Sequence, residues 1–236
     1  MNFDFMNISL KKKSFDIKTF KLRSRKLSLK KKKIIDSLWP LIGINITDKH
    51  FKIQKIFNKN IPVILDIGFG FGESLVNYAK LYKNIYILGI EIYIPGICYC
   101  LKEIYKNNLN NVRIIYLDFI YFLKNYLKNF FFHIINIFFP DPWPKRKHYK
   151  RRMIQKNIIN CLLKQLSIKG IIHIVTDCFS YAINIIKVLN LTCGLKCLSK
   201  DFRSYYVKKN NCYTRYKKYA CIKKNKIYEI IYQKIF

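Results

Sequence analysis

The sequence predicts an α/β fold, a mostly parallel sheet with helices on both faces, and three observations carry that expectation. Five short apolar, β-branched runs alternate with five amphipathic segments between residues 61 and 189, the pattern of parallel strands joined by crossover helices. An acid stands at or just past the end of each run (Asp66, Glu91, Asp118, Asp141, Asp177), although the chain holds only 13 Asp and Glu in 236 residues. The first run passes into Gly68-Phe69-Gly70-Phe71-Gly72 and then an amphipathic stretch, a strand, a tight turn and a helix start.

Taken in order, residues 1 to 33 are low in complexity and rich in Lys and Arg, a basic arm unable to bury a core. Residues 34 to 41, ending Trp39-Pro40, read as the helix or turn that joins the arm to a single domain spanning 34 to 236. The strands are expected at 61–67, 85–90, 112–117, 132–139 and 170–175, each a β-branched or aromatic run. The helices are expected at 73–81, 96–105, 119–127, 152–166 and 180–189. Two weaker strand candidates, 196–206 and 226–235, complete one edge and bring the sheet to seven strands.

Composition narrows the partners. Lys and Arg number 45, giving a net charge of +32, which self-repels unless it meets an anion; nucleic acid is the first candidate and an anionic membrane surface the second. Eight cysteines occur without a Cys-x-x-Cys pair, so they read as reduced thiols in a cytoplasmic protein with no metal site. The longest apolar run, interrupted by His133 and Asn136, is too short to span a bilayer.

The carboxyl edge of a parallel sheet is where ligands bind, so five acids sharing that position point to a site there, although each alone could cap a helix. The glycines alternate as G-x-G-x-G rather than in the dinucleotide spacing, and Asp66 precedes them. An acid there repels pyrophosphate and attracts an ammonium. Glu91 is placed to accept ribose hydroxyls, and Asp118 to receive an adenine amino group. Ammonium, ribose and adenine together favour S-adenosylmethionine over a nicotinamide cofactor.

The most distinctive stretch is Phe139-Pro140-Asp141-Pro142-Trp143-Pro144, followed by the cationic run Lys145 to Arg152. Proline fixes φ and removes a donor, so this is a rigid elbow holding Asp141 at a strand end beside an aromatic plane and a basic face. Trp143 either stacks a base or packs the elbow.

The residues Asp66 to Gly72, Gly89-Ile90-Glu91, Leu117-Asp118, Phe139 to Trp143, Lys150-Arg151-Arg152, Thr176-Asp177 and Thr214-Arg215-Tyr216 resemble, in order, the motifs of the bacterial tRNA (guanine-N7)-methyltransferases. The resemblance covers about residues 18 to 236. It implies a Rossmann-like class I S-adenosylmethionine-dependent methyltransferase fold and tRNA as substrate partner; the sequence does not give the oligomeric state, a monomer being favoured. It further implies cofactor binding by Asp66, Gly68, Gly70, Gly72, Glu91, Asp118 and Asp141, a catalytic Asp141, and substrate contacts from Lys145, Asp177, Thr214, Arg215 and Tyr216. Lys217 stands where the family usually carries Glu, Tyr219-Ala220 where it carries Arg-Gly, and Cys178-Phe179 where it carries Trp-Glu. A transferase acting on another RNA base, and a non-catalytic RNA-binding relative, are the competing readings.

Overall fold

A computed structural model describes residues 19–20, 27–46, 53, 56–57, 61–127, 130–198 and 214–236. Most of the basic arm, and positions 199–206 of the first tail strand candidate, lie outside the described residues.

The five alternating units are all present. The strands β2 (Val63–Ile67), β3 (Tyr86–Glu91), β4 (Val112–Tyr116), β5 (Phe132–Phe138) and β6 (Leu166–Thr176) alternate with helices α2 (Glu73–Leu81), α3 (Ile94–Lys106), α4 (Phe119–Asn125), α5 (Lys156–Lys164) and α6 (Phe179–Asn190). Helix α1 (Leu29–Ile42) and the two-residue strand β1 (Gly43–Ile44) precede them; β7 (Leu195–Cys197), α7 (Arg215–Ile222) and β8 (Tyr228–Lys234) follow. The strand order is β1-β4-β3-β2-β5-β6-β8-β7. Every pairing from β1 to β6 is parallel, and β8 runs antiparallel to both β6 and β7. The seven expected strands are joined by β1 at the outer edge of β4. Helix α1 starts at Leu29, so Lys30 to Lys33 belong to a helix rather than to the arm.

Alternation along the strands builds two core layers. Val63, Leu65 and Ile67 of β2, Leu88 and Ile90 of β3 and Ile135 and Ile137 of β5 face α4, α5 and α6, meeting Phe122, Leu162 and Ile185. The other face divides. Ile64, Ile87, Val112 and Ile114 pack under α1, α2 and α3, whereas Phe138 and Val175 pack under Ala220 of α7. Fully burying one such side chain stabilises by about 1.5–3 kcal/mol, so each layer is held by many interchangeable contributions. Between the two covers of this second face lies a seam along β2 and β5, where the chain reverses its direction of strand addition, the position at which α/β sheets open to ligands.

One expected helix is shorter than its sequence pattern. Residues 146–151 form a 3-10 helix, Arg152 is extended (φ −60°, ψ 135°), and α5 begins only at Lys156. The cause is Arg152, which is 2 % exposed and turned inward, so that continuing the helix through it would carry its guanidinium away from its partners.

Candidate active site

The turn after β2 is built by glycine. Gly68, Gly70 and Gly72 have φ of 68°, 59° and 75°, left-handed values that cost other residues energy. A Cβ at Gly72 would stand 2.2 Å from the Cys100 sulfur, which draws α3 against the turn, while at Gly68 and Gly70 it would meet nothing within 4 Å. The backbone above those two glycines is therefore open to a ligand.

Glu91 locks this turn. Its Oε2 accepts from Gly70 N–H at 2.7 Å, and its Oε1 accepts from Ile92 N–H and Tyr93 N–H at 2.6 and 2.9 Å. Burial nevertheless raises its pKa above the ordinary value, and the nearby charge of Asp141 pushes the same way. Asp66 is more extreme: it is 1 % exposed, its Oδ2 meets no partner, and burial followed by repulsion from Glu91 raises its pKa to about 7. A buried carboxylate with an unpartnered oxygen, near a second buried acid, is an arrangement that a cationic ligand completes. The buried acids and the open glycine cradle fit a ligand that bears an ammonium and hydroxyl groups, as S-adenosylmethionine does.

A cavity between the turn and α7 is lined by Asp66, Gly70, Ser74, Phe138, Arg215 and Tyr216, among others. The start of α7 closes over it. Thr214 caps α7, its hydroxyl accepting from Lys217 N–H at 3.1 Å. The Arg215 Nε donates to Glu73 Oε1 at 3.1 Å, with its guanidinium 3.9 Å over the Phe71 ring and 4.7 Å from that of Tyr99. Tyr216 stacks on Phe139, ring centroids 5.9 Å apart.

The elbow carries the backbone strain. Phe139 and Trp143 have φ of 49° and 42°, a conformation held only when surroundings over-determine it. Arg152 provides that constraint: its Nε donates to the Pro142 carbonyl at 2.9 Å, and its guanidinium lies 3.7 Å over the Tyr149 ring and 4.8 Å over that of Tyr181. The expected basic face thus ends at Arg151, because Arg152 is inside. Trp143 packs the elbow: its Nε1 donates to the Thr19 carbonyl at 3.1 Å, the Arg151 guanidinium covers its ring at 4.8 Å and His148 meets it edge-on.

The sequence-predicted residues do not all converge. Asp66, Gly68, Gly70, Gly72, Thr214, Arg215 and Tyr216 share the cavity; Glu91 is bonded to its Gly70, and Asp141 is exposed and does not line it, although its charge helps raise the pKa of Glu91. Asp118 caps α4, its Oδ1 accepting from Tyr121 N–H at 2.8 Å. Lys145 and Asp177 are exposed and do not line the cavity; Asp177 accepts from the Asn225 amide at 3.3 Å. Sequence reasoning missed two side chains. One is Arg152 as an internal brace, which an Arg within a basic run does not advertise. The other is the wholly buried Asn136, visible only as a polar break in an apolar strand. Among the described residues there is no metal-binding cluster, and no helix is long and apolar enough to cross a membrane.

Residues 60–230 match the family described as "Putative methyltransferase". The chain is 37 % identical over 223 residues to a tRNA (guanine-N(7)-)-methyltransferase of Buchnera aphidicola subsp. Baizongia pistaciae, covering 93 % of this chain and 91 % of that relative. It is 34 % identical over 185 residues to the enzyme of the same name from Edwardsiella ictaluri, covering 78 % of each. Among solved structures, a "putative rRNA-methylase" from Clostridium thermocellum shares the fold at a TM-score of 0.51 and 16 % identity, over 77 % of this chain and 93 % of that one. With its glycine cradle, buried acids and strained Pro-Asp-Pro-Trp corner, the chain belongs to the tRNA (guanine-N(7)-)-methyltransferase family.

Proposed function

We propose that this protein methylates guanine N7 in tRNA with S-adenosylmethionine as methyl donor, acting in the cytoplasm. The observation that carries the reading is the pairing of two buried acids, both with raised pKa values, at an open glycine turn, with the Asp141 elbow near enough for its charge to reach Glu91. The cofactor supplies an electrophilic methyl group. Asp66 takes its ammonium, Glu91 its ribose hydroxyls and Asp118 its adenine amino group, while the glycines let it approach the backbone.

Guanine N7 carries an in-plane lone pair and needs no deprotonation, so no His or Cys base is required. The product base is cationic. Asp141, fixed between prolines and close to Glu91, stabilises that charge with little reorganisation, and the rest of the rate comes from alignment. Asp177 and Tyr216 contact the substrate. Thr214 caps α7, and Arg215 holds the start of α7 against the turn through Glu73. The exposed cations Lys145, Arg146, Lys147 and Lys150 meet tRNA phosphates, so affinity falls steeply with salt.

Mass mapping of nucleosides from tRNA incubated with the protein and labelled S-adenosylmethionine tests the reading. Label in 7-methylguanosine from the variable loop is expected; label in another base, or none, rejects it.

A further inference from the structure

Three neighbouring strands each carry a polar residue on the same rung of the sheet: Asp66 of β2 pairs in register with Asn136 of β5, and Asn136 with His173 of β6. The row ends in a hydrogen-bonded couple, His173 Nε2 and Glu229 Oε1 at 2.8 Å. Its middle is unresolved chemically. Asn136 is fully buried, and neither its Oδ1 nor its Nδ2 has a hydrogen-bond partner; the adjoining Asp66 Oδ2 and the Ser74 hydroxyl of α2 lack one too. Both Asp66 and Ser74 line the cavity beneath α7.

An unpaired buried amide forfeits the hydrogen bonds that water gave it, and a leucine, of similar size, would fill the same place without that cost. A group kept at such a cost is the signature of a site rather than of packing. Strands stand about 4.8 Å apart, and both side chains leave the sheet on the same face, so a rotation of either brings the Asn136 amide N–H to the Asp66 carboxylate.

We propose that Asn136 is a positioning residue for the amino-acid end of the methyl donor: its amide N–H donates to Asp66 Oδ2 and orients that carboxylate toward the ligand ammonium. This rests on the reading that the cavity takes S-adenosylmethionine.

The test is Asn136→Leu in the full chain, compared with wild type by calorimetry and thermal melting. Three ligands serve: S-adenosylmethionine, S-adenosylhomocysteine and 5′-methylthioadenosine, the last lacking ammonium and carboxylate. The variant is expected to melt at the same or a higher temperature without ligand, to bind the first two at least tenfold more weakly, and to bind the third as wild type does. Unchanged affinity for the first two overturns the proposal, as does an equal loss for all three or a melting temperature that falls with affinity. Should Asn136→Leu fail to fold, Asn136→Val is read by the same criteria, and failure of both to fold also overturns it, because the amide would then serve folding. Wild-type protein that binds none of the three ligands rejects the cofactor reading itself; wild-type binding with an indifferent variant rejects only the role of Asn136.

Discussion

The Gly70 amide donates a 2.7 Å hydrogen bond to Glu91 Oε2, so the turn after β2 and the end of β3 move as one body. Glu91→Ala removes this bond and the two that Oε1 accepts. Bonds to a charged acceptor contribute about 1.5–3 kcal/mol each, so the variant is expected to melt several degrees lower and to bind S-adenosylmethionine at least tenfold more weakly. Glu91→Gln is not silent, because an amide turned toward Gly70 sets donor against donor. Calorimetry and melting curves check both, and unchanged cofactor affinity in the Ala variant contradicts the assignment.

Asp66 makes stability and binding depend on pH in opposite directions. In the unfolded chain it titrates near 3.8 and in the folded one near 7, so across that window the folded state binds more protons. Its contribution to stability is therefore greatest below about pH 4, falls as pH rises toward 7 and levels off above. Glu91, raised in the same direction by burial, adds a slope of the same sign. Cofactor affinity runs the other way, rising through pH 7 as Asp66 ionises to meet the ammonium. Melting curves of Asp66→Asn between pH 4 and 8 are expected to show a flatter slope, and its cofactor affinity to be weak and less dependent on pH.

Arg152 braces the elbow by shape as well as charge. Arg152→Lys keeps the charge but loses the planar guanidinium that reaches the Pro142 carbonyl while lying over Tyr149 and Tyr181. A charged hydrogen bond and a desolvated cation–π contact are each worth about 2 kcal/mol. Both Arg152→Lys and Arg152→Met are thus expected to lose stability of the order of 2 kcal/mol and to lower kcat, with the cofactor Kd little changed. Denaturant melts and steady-state kinetics measure this, and full activity in Arg152→Lys rules the brace out.

The sheet was legible in the sequence because parallel strands buried on both faces read as continuous apolar runs, and because the glycine turn and proline elbow are local signals. The placing of Asp66, Glu91 and the glycines at one sheet edge was legible for the same reason: each terminates or follows a strand. The inward turn of Arg152 was not, since a buried and a solvated arginine are identical in a basic run and only the Pro142 carbonyl, ten residues back, decides between them. Nor was the role of the start of α7. Thr214 to Tyr216 meet the glycine turn across about 140 residues of chain, and no local pattern encodes that Arg215 pairs with Glu73.

Asp141 carries the central claim, and single-turnover methyl transfer to tRNA by Asp141→Asn tests it most directly. The substitution keeps the shape of the elbow and removes the charge. If the carboxylate stabilises the cationic purine, the rate of the chemical step falls by roughly 10² or more while the dissociation constants for cofactor and tRNA move far less. If Asp141 only shapes the turn, the variant loses about 1 kcal/mol of stability and transfers methyl groups at a rate close to wild type, which would contradict the mechanism.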